Sequence, residues 1–297
     1  MNKRNIRLGI APIAWSNDDL HELGTDISFE QCISEMAEAG YDGSEVGHKY
    51  PRDPAVLKQA LAKYNLRIAS QWFSSFFTTS PKEVTIPKFI EHMEFLKAMG
   101  CEVIVVAECG GAVHGDLSKP VFDAKPVLDN EGWKRLATGL NELGRIAKDN
   151  GMKVVYHHHM GTVVQNREEI DRLMNETDPD LVYLLADTGH LYFAGGDPVK
   201  LFEDYMPRIK HIHLKDIRKP VLDKLKEQKW SFLKGVLEGV FTVPGDSVID
   251  YKPIAKIIKK SNYEGWFIVE AEQDPAKANP FEYAKKARKY IHDVFGI

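Results

Sequence analysis

The chain alternates short apolar runs with longer amphipathic segments over almost its whole length. A short apolar run bounded by turn residues predicts a buried strand, and an apolar stripe with a period near 3.6 predicts a helix. The last strand-like residues carry His, Asp and Glu more often than the rest of each run. Eight strands are predicted, at Arg7–Ala11, Gly43–Gly47, Arg67–Phe73, Cys101–Glu108, the stretch KVVYHHHMGT from Lys153, Leu181–His190, Ile209–Asp216 and Gly265–Glu272.

Helical signals separate these strands. Ser28 is predicted to cap the first helix, with Gln31 completing a capping box and Gly40 ending the helix. Further helices are predicted at Pro54–Tyr64, Pro87–Met99, Glu131–Asn150, Arg167–Asn175, Pro198–Tyr205, Tyr251–Ser261 and Pro280–Phe295.

About eight strand–helix units in one chain of 297 residues predict a single-domain (β/α)8 TIM barrel spanning residues 1–297. A doubly wound open sheet is the alternative, but its glycine-rich first turn is missing from GIAPIAW. The longest connections follow strands and therefore lie at the carboxyl end of the barrel, where active sites form. Residues 217–250 exceed the length of an ordinary loop, and we interpret them as a lid, with a solvated surface segment as the alternative.

The composition of the chain argues against several classes of function. Hydrophobic residues make up 43% of the chain, and the net charge of −4 with a pI near 6.3 argues against a nucleic-acid or anionic membrane surface. The sequence shows neither a secretory signal nor an apolar run long enough to span a membrane. Its three cysteines have no CxxC spacing, which favours reduced thiols in the cytoplasm.

The carboxyl ends of the predicted strands are rich in metal-ligand side chains. Parallel strands of a closed barrel bring these ends together near its axis, and mixed imidazole and carboxylate donors suit Mn, Co, Zn or Fe. Strands five to eight each supply such a residue at the same end. The set is Glu45, Glu108, His157, His159, Asp187, His190, His211, His213, Glu270 and Glu272. Their joint occurrence predicts a metal site.

Each member also has a plainer interpretation. Glu45 and Glu108 could be solvated loop carboxylates, Asp187 could cap a helix, and Glu272 is expected at the surface beside other polar residues. A single histidine at a strand end is more often a hydrogen-bonded structural residue. Cys109 is expected to be inert. For Trp15 and Trp72, a core position and a substrate wall are equally expected.

The motifs LLADTGH, KHIHLKD and FIVEAE resemble the xylose-isomerase-like barrel superfamily of sugar isomerases and epimerases. DGSEVGHKYP, VYHHHMGT, DTGHLYFAGGDP and VEAEQDPAKANP are similar, more closely, to the inosose dehydratase family. The resemblance implies metal ligands at the strand-five residue, Asp187, His213 and Glu270. Strand five usually carries a glutamate there, whereas this chain offers His157 or His159. We favour His157 as ligand and His159 as a substrate contact.

The resemblance also implies the reaction. The substrate would be 2-keto-myo-inositol (scyllo-inosose), the cofactor a divalent metal such as Mn or Co, with a glutathione requirement for which the sequence supplies no physical reason. Such a metal would polarise the ketone and acidify the neighbouring C–H, so that an enediolate forms and expels the β-hydroxyl to give a trihydroxycyclohexane-1,2-dione. The residues proposed for catalysis are His190, Glu270, Glu45, His159 and Lys215.

Two other functions stay open at this point. A ketose isomerase or epimerase would use the same metal barrel without a leaving hydroxyl. A metal-dependent phosphodiesterase or nuclease is less favoured, because it needs several metals and a basic groove. The expected partner is a small cyclic polyol ketone, with neither nucleic acid nor membrane, and a homo-oligomer is allowed.

Overall fold

The computed structural model describes residues 5–297, and the basic start of the chain, residues 1–4, lies outside them. The strands are short and mostly parallel. In chain order they are β1 (Ile6–Ile10), β2 (Gly43–Ser44), β3 (Arg67–Ile68), β4 (Trp72–Ser75), β5 (Val103–Glu108), β6 (Lys153–His157), β7 (Val182–Asp187), β8 (Ile209–Leu214), β9 (Asp216–Ile217), β10 (Phe241–Thr242) and β11 (Gly265–Val269).

Helices follow almost every strand of the barrel. They are α1 (Phe29–Glu38), α2 (Pro54–Ala62), α3 (Lys82–Met99), α4 (Asn130–Asp149), α5 (Arg167–Glu176), α6 (Thr188–Phe193), α7 (Pro198–Tyr205), α8 (Lys219–Glu227), α9 (Phe232–Leu237), α10 (Tyr251–Lys260) and α11 (Pro280–Phe295). A short 3-10 helix covers Pro12–Ala14. No helix within residues 5–297 is long and apolar enough to cross a membrane.

Nine of these strands form one sheet in the order β3-β2-β1-β11-β8-β7-β6-β5-β4. The third predicted strand is divided, because β3 pairs with β2 and β4 pairs with β5. Ser70, between them, joins both sides: its carbonyl accepts from Val46 N at 3.1 Å, and its hydroxyl donates to Val103 O at 3.0 Å. The eight strand positions of a TIM barrel are therefore filled, which confirms the predicted fold class.

Strand alternation decides which side chains face the barrel axis. Val105 and Val155 belong to an inner apolar cluster, and Val105 also lines the cavity at the barrel mouth. Their neighbours Ile104 and Val154 belong to the main core shared with the helices. Since side chains alternate along a strand, His157 points to the same inner side as Val155.

The start of α1 is only partly as predicted. Ser28 caps the helix, accepting from Gln31 N at 3.1 Å. The Gln31 side chain donates to Glu35 at 2.9 Å, so the predicted capping box does not form at this helix. A reciprocal capping box is present instead at α5, between Asn166 and Glu169.

The segment expected to be an extended loop, residues 217–250, is largely structured. It contains α8 and α9, and its ends pair as the antiparallel strands β9 and β10. Phe232 and Phe241 from this segment pack with Phe193 of α6 in a separate apolar cluster. The apolar residues among its many charges explain why it folds against the barrel rather than lying open in solvent.

Candidate metal centre

A cavity of about 370 Å³ opens at the carboxyl end of the barrel, bounded by residues that follow β1, β2, β5, β6 and β11. Its floor is polar, although the strands beneath it are apolar. The residues that line it with imidazole, carboxylate or aromatic groups are Asp18, Asp19, Glu45, His48, Trp72, His114, His157, His159, His213, Glu270 and Glu272. Such a concave, mixed surface is the usual setting of a small-molecule site.

The four predicted metal ligands come together at this cavity: His157, His213 and Glu270 line it, and Asp187 is fully buried beside them. His157 Nε2 lies 3.7 Å from Asp187 Oδ2, and that oxygen lies 3.5 Å from His213 Nδ1. His213 Nδ1 is 2.6 Å from Glu270 Oε2. Asp187 Oδ2 and His213 Nδ1 are buried and have no hydrogen-bond partner among residues 5–297. Buried polar atoms without partners cost free energy, and a cation bound among them would remove that cost.

Hydrogen bonds orient both imidazoles for ligation. His157 Nδ1 lies 2.7 Å from the carbonyl oxygen of His158, so this nitrogen donates and Nε2 keeps its lone pair for the centre. His213 Nε2 lies 3.3 Å from Glu45 and its Nδ1 lies 2.6 Å from Glu270, so this ring would offer Nδ1 to a metal ion after losing the proton there. Metal-binding histidines are typically fixed in this way by a carbonyl or a carboxylate on the other nitrogen. The donor set therefore fits a divalent transition metal.

Asp187 has two roles, one for each carboxylate oxygen. Its Oδ1 accepts from His190 N at 2.7 Å and caps α6, as the plainer interpretation of the motif DTGH predicts. Its Oδ2 faces the other donors of the centre. The predicted strand six ends here, because the chain turns directly into α6 at Thr188.

The electrostatics of the centre favour a positive charge. Burial alone would lower the pKa of His213, but Glu270 and Glu45 outweigh it and hold that pKa well above its usual value. Burial lowers the pKa of His157 to about 4, so its ring is neutral at pH 7. Burial would raise the pKa of Glu45, yet His213 and His211 bring it down to about 2. Carboxylates thus stay ionised around the donor atoms.

The three consecutive histidines are divided by alternation. His157 and His159 line the cavity, whereas His158 is fully buried behind it. His158 Nε2 accepts from the amide of Asp187 at 3.3 Å, which ties the strand end of β6 to that of β7. His159 Nδ1 lies 2.9 Å from Met160 O, so its Nε2 carries the free lone pair. Of these three histidines, only His157 and His159 can therefore contact a molecule bound in the cavity.

Two of the predicted catalytic residues lie deeper than expected. Neither His190 nor Lys215 is among the residues that line the cavity, and both are fully buried. Lys215 Nζ is 3.0 Å from His190 Nε2 and 2.7 Å from Glu272 Oε1. His190 still lies at the centre, because one of its ring nitrogens is within 4.8 Å of donor atoms of His157, Asp187 and Glu270. The catalytic roles of His190 and Lys215 stay predictions.

The expectation that Glu272 lies at the surface is wrong. Glu272 is 2% exposed, lines the cavity and pairs with Lys215. Burial raises its pKa to about 7, although Lys215 opposes that shift. Its polar neighbours in the sequence suggested a solvated loop, but Gln273 beside it is also buried. The alternation of Glu270 and Glu272 along one strand direction was the signal that could have identified it.

Other strand-end residues have structural roles. Glu108 is fully buried and accepts from Ser75 Oγ at 2.6 Å and from the amides of Phe77 and Thr78 at 3.1 Å, so it is not the solvated carboxylate considered from the sequence. Trp15 is a core residue, whereas Trp72 lines the cavity.

Several cavity residues were not recognised in the sequence, and His114 and Asp19 are among them. His114, from the long loop after β5, lies beside His159 with ring centroids 5.2 Å apart. Its Nδ1 is buried without a hydrogen-bond partner among the described residues, and burial lowers its pKa, although Asp19 opposes that shift. The Cβ that Gly161 lacks would stand 2.9 Å from His114 N, so a side chain there would displace the loop. A histidine inside a long loop at the carboxyl end of a barrel is the signal that identifies such a residue.

Replacing Cys109 with serine is expected to change kcat by less than about tenfold, because a thiol without a base cannot act as a nucleophile. Burial raises the pKa of Cys109 to about 11, and Cys109 is not among the cavity-lining residues. Steady-state kinetics of the variant against the parent protein test this. A fall of about a hundredfold or more would contradict it, since proton transfer or nucleophilic attack contributes effects of that size.

The family model described as xylose isomerase-like TIM barrel matches residues 33–294. The chain belongs to the xylose isomerase-like TIM barrel family. Within this family, it is 59% identical over 293 residues to an inosose dehydratase of Clostridium perfringens, covering 99% of each chain. It is 57% identical over 298 residues to an inosose dehydratase of Bacillus anthracis, covering all of both chains.

Solved structures support the xylose isomerase-like fold. A structure of the IOLI protein with a bound zinc atom matches with a TM-score of 0.68, covering 98% of each chain. Its sequence identity of 19% means that this likeness establishes the fold alone. The full-length identity to the inosose dehydratases is the comparison that bears on chemistry.

Proposed function

We propose that this chain is an inosose dehydratase, a hydro-lyase that removes water from 2-keto-myo-inositol and yields a trihydroxycyclohexane-1,2-dione. The main support is 59% identity over 99% of the chain to a curated inosose dehydratase. The buried donors at the cavity floor provide the chemistry such an elimination needs. An isomerase or epimerase would use the same floor, but no observation favours it over the lyase.

The ligands of the proposed metal are His157, Asp187, His213 and Glu270, and we expect Mn or Co. When bound, a divalent ion would polarise the ketone and acidify the C–H next to it. Glu45 orients His213, and its carboxylate is shared between the Nε2 atoms of His211 and His213 at 2.9 and 3.3 Å. This makes Glu45 a positioning residue rather than the base.

Proton transfer is assigned to the cavity wall formed by His159 and His114. His159 is neutral at pH 7, because burial lowers its pKa well below the usual value, and its Nε2 lone pair is free to take the proton next to the ketone. His114, beside Asp19, is placed to hydrogen-bond the departing hydroxyl. Trp72 packs edge-on against His159 at 5.3 Å between ring centroids and holds that ring in place.

The segment 217–250 acts in this proposal as a fixed cover. Phe232 packs on the His159 ring at 5.1 Å, and Phe241 packs on His190 at 5.1 Å. These rings keep water away from the ionised groups behind the cavity, which strengthens their electrostatic interactions. The segment thereby belongs to the single barrel domain.

Two further predictions rest on the family resemblance and composition alone. They are a glutathione requirement, to which we assign no residue, and a cytoplasmic location.

Incubation of the metal-loaded protein with scyllo-inosose tests the proposed function. We expect ultraviolet absorbance of the dione to appear together with a product lighter by one water in mass spectrometry. Exhaustive chelation should abolish turnover, and Mn or Co should restore it. Full activity in a verified metal-free sample would contradict the metal mechanism. A product of unchanged mass would identify an isomerase or epimerase instead.

A further inference from the structure

A second group of metal-ligand side chains adjoins the four-donor centre and shares its surroundings, since His190 also lies close to His157, Asp187 and Glu270. We call His159, His190 and Glu272 the rear cluster; one ligand atom from each lies within 4.8 Å of the others. All three are buried, at 6%, 0% and 2% exposure. The residue types and spacing of the rear cluster suit a divalent ion, just as those of the four-donor centre (called the front centre below) do.

The ammonium of Lys215 already stands in the rear cluster. Its Nζ lies 2.7 Å from Glu272 Oε1 and 3.0 Å from His190 Nε2, and it also pairs with Glu270, a member of the front centre. The ammonium therefore has the same kinds of partner that a metal ion would have.

The surroundings are shaped to admit this side chain. Lys215 is fully buried, and its Nζ lies 4.6 Å from the centroid of the Phe241 ring. Opposite its stem stands Gly189, where an added Cβ would lie 2.5 Å from Lys215 Cγ and 2.8 Å from its Cβ. The glycine of the motif DTGH thus leaves the space that the lysine stem fills.

The formal charges point to a single metal ion. Asp187, Glu270 and Glu272 all lie within ion-pair distance of Lys215. Lys215 therefore already places a positive charge among these three carboxylates. A second divalent ion beside it would put two cations in contact in a buried cluster, and buried charges of like sign are strongly unfavourable.

We infer that Lys215 is a built-in cation that replaces a second metal ion, so that the protein binds one divalent ion per chain. This inference rests on the proposed metal centre. It also explains why a multi-metal phosphodiesterase reaction is unavailable to this barrel, although its residues could form two adjacent metal sites.

The test compares the parent protein with K215A and K215M after chelation and reloading with excess Mn²⁺. Metal content per chain and the electron paramagnetic resonance spectrum are measured. The parent should hold one ion with the spectrum of an isolated Mn²⁺. K215A removes the ammonium and opens the rear cluster, so it should take up a second ion and show an exchange-coupled pair. K215M removes the charge but fills the space, so it should bind no second ion.

The outcomes separate the two proposals. A parent protein that binds no ion would overturn the metal centre itself, whereas two ions or a coupled spectrum in the parent would overturn only the role of Lys215. A folded K215A that still binds one ion would likewise overturn it. Should K215A fail to fold, K215S removes the same charge and opens the same space, and the same second ion is expected; a folded K215S with one ion would overturn the role of Lys215.

Discussion

Replacement of Asp187 with alanine is expected to remove the metal and to lower kcat by about a thousandfold or more. Lewis-acid polarisation by a metal stabilises the transition state by several kcal/mol, and each ~1.4 kcal/mol corresponds to a factor of ten in rate. The structure adds a second consequence, because Oδ1 of Asp187 also caps α6 through His190 N. Alanine should therefore cost about 1 kcal/mol of stability as well.

Asp187→Asn is the matched control. Its amide oxygen can still accept from His190 N, but its amide nitrogen replaces the oxygen that faces His157 and His213. The asparagine variant should lose the metal as completely as the alanine variant while keeping more of the stability attributed to the cap. Metal analysis, thermal unfolding of chelated samples and kinetics separate the two effects. Stoichiometric metal in either variant would mean that Asp187 is not a ligand.

His157→Ala is expected to lose most of the metal affinity, whereas His159→Ala should keep the metal and lower kcat by about a hundredfold or more. His157 Nε2 faces Asp187 across 3.7 Å, so its removal takes a donor from the centre. His159 lies in the cavity wall, and a proton acceptor in that place typically contributes a factor of 10² to 10⁴. Metal content and kcat for the two variants test this division.

His158→Gln serves as the control for this pair. His158 is buried and accepts from the amide of Asp187, so its replacement should cost about 1–3 kcal/mol of stability with the metal retained. That cost is larger than alternation alone suggested, since the sequence does not show the contact with Asp187. If His158→Ala lost the metal while the other two variants kept it, the ligand assignment on β6 would be shifted by one residue.

The local pattern of apolar and polar residues predicts correctly which side chains lie at the carboxyl ends of the strands. Asp187, His213 and Glu270 were placed at the carboxyl ends of successive strands, and the structure brings them together with His157. The pattern was less successful where tertiary contacts override it. The third strand divides around Ser70, which uses its side chain to continue the pairing with β5.

Contacts between residues far apart in the sequence were also not predicted by the local pattern. Lys215 and Glu272 are 57 positions apart, and nothing near either residue indicates that they form a buried ion pair. Trp15 and Trp72 are similar in sequence context, yet only Trp72 reaches the cavity. Which of two such residues faces a site depends on the path of the backbone across the barrel.

The sequence by itself determined the barrel, the end of the barrel at which the chemistry lies and the residue types that could bind a metal. It could do so because strand alternation, helix periodicity and capping act over a few neighbouring residues. Only the tertiary structure decided that Lys215 and His190 do not line the cavity, that Glu272 reaches it and that residues 217–250 contain two helices. These outcomes depend on contacts between distant strands, whose distances and burial no local pattern contains.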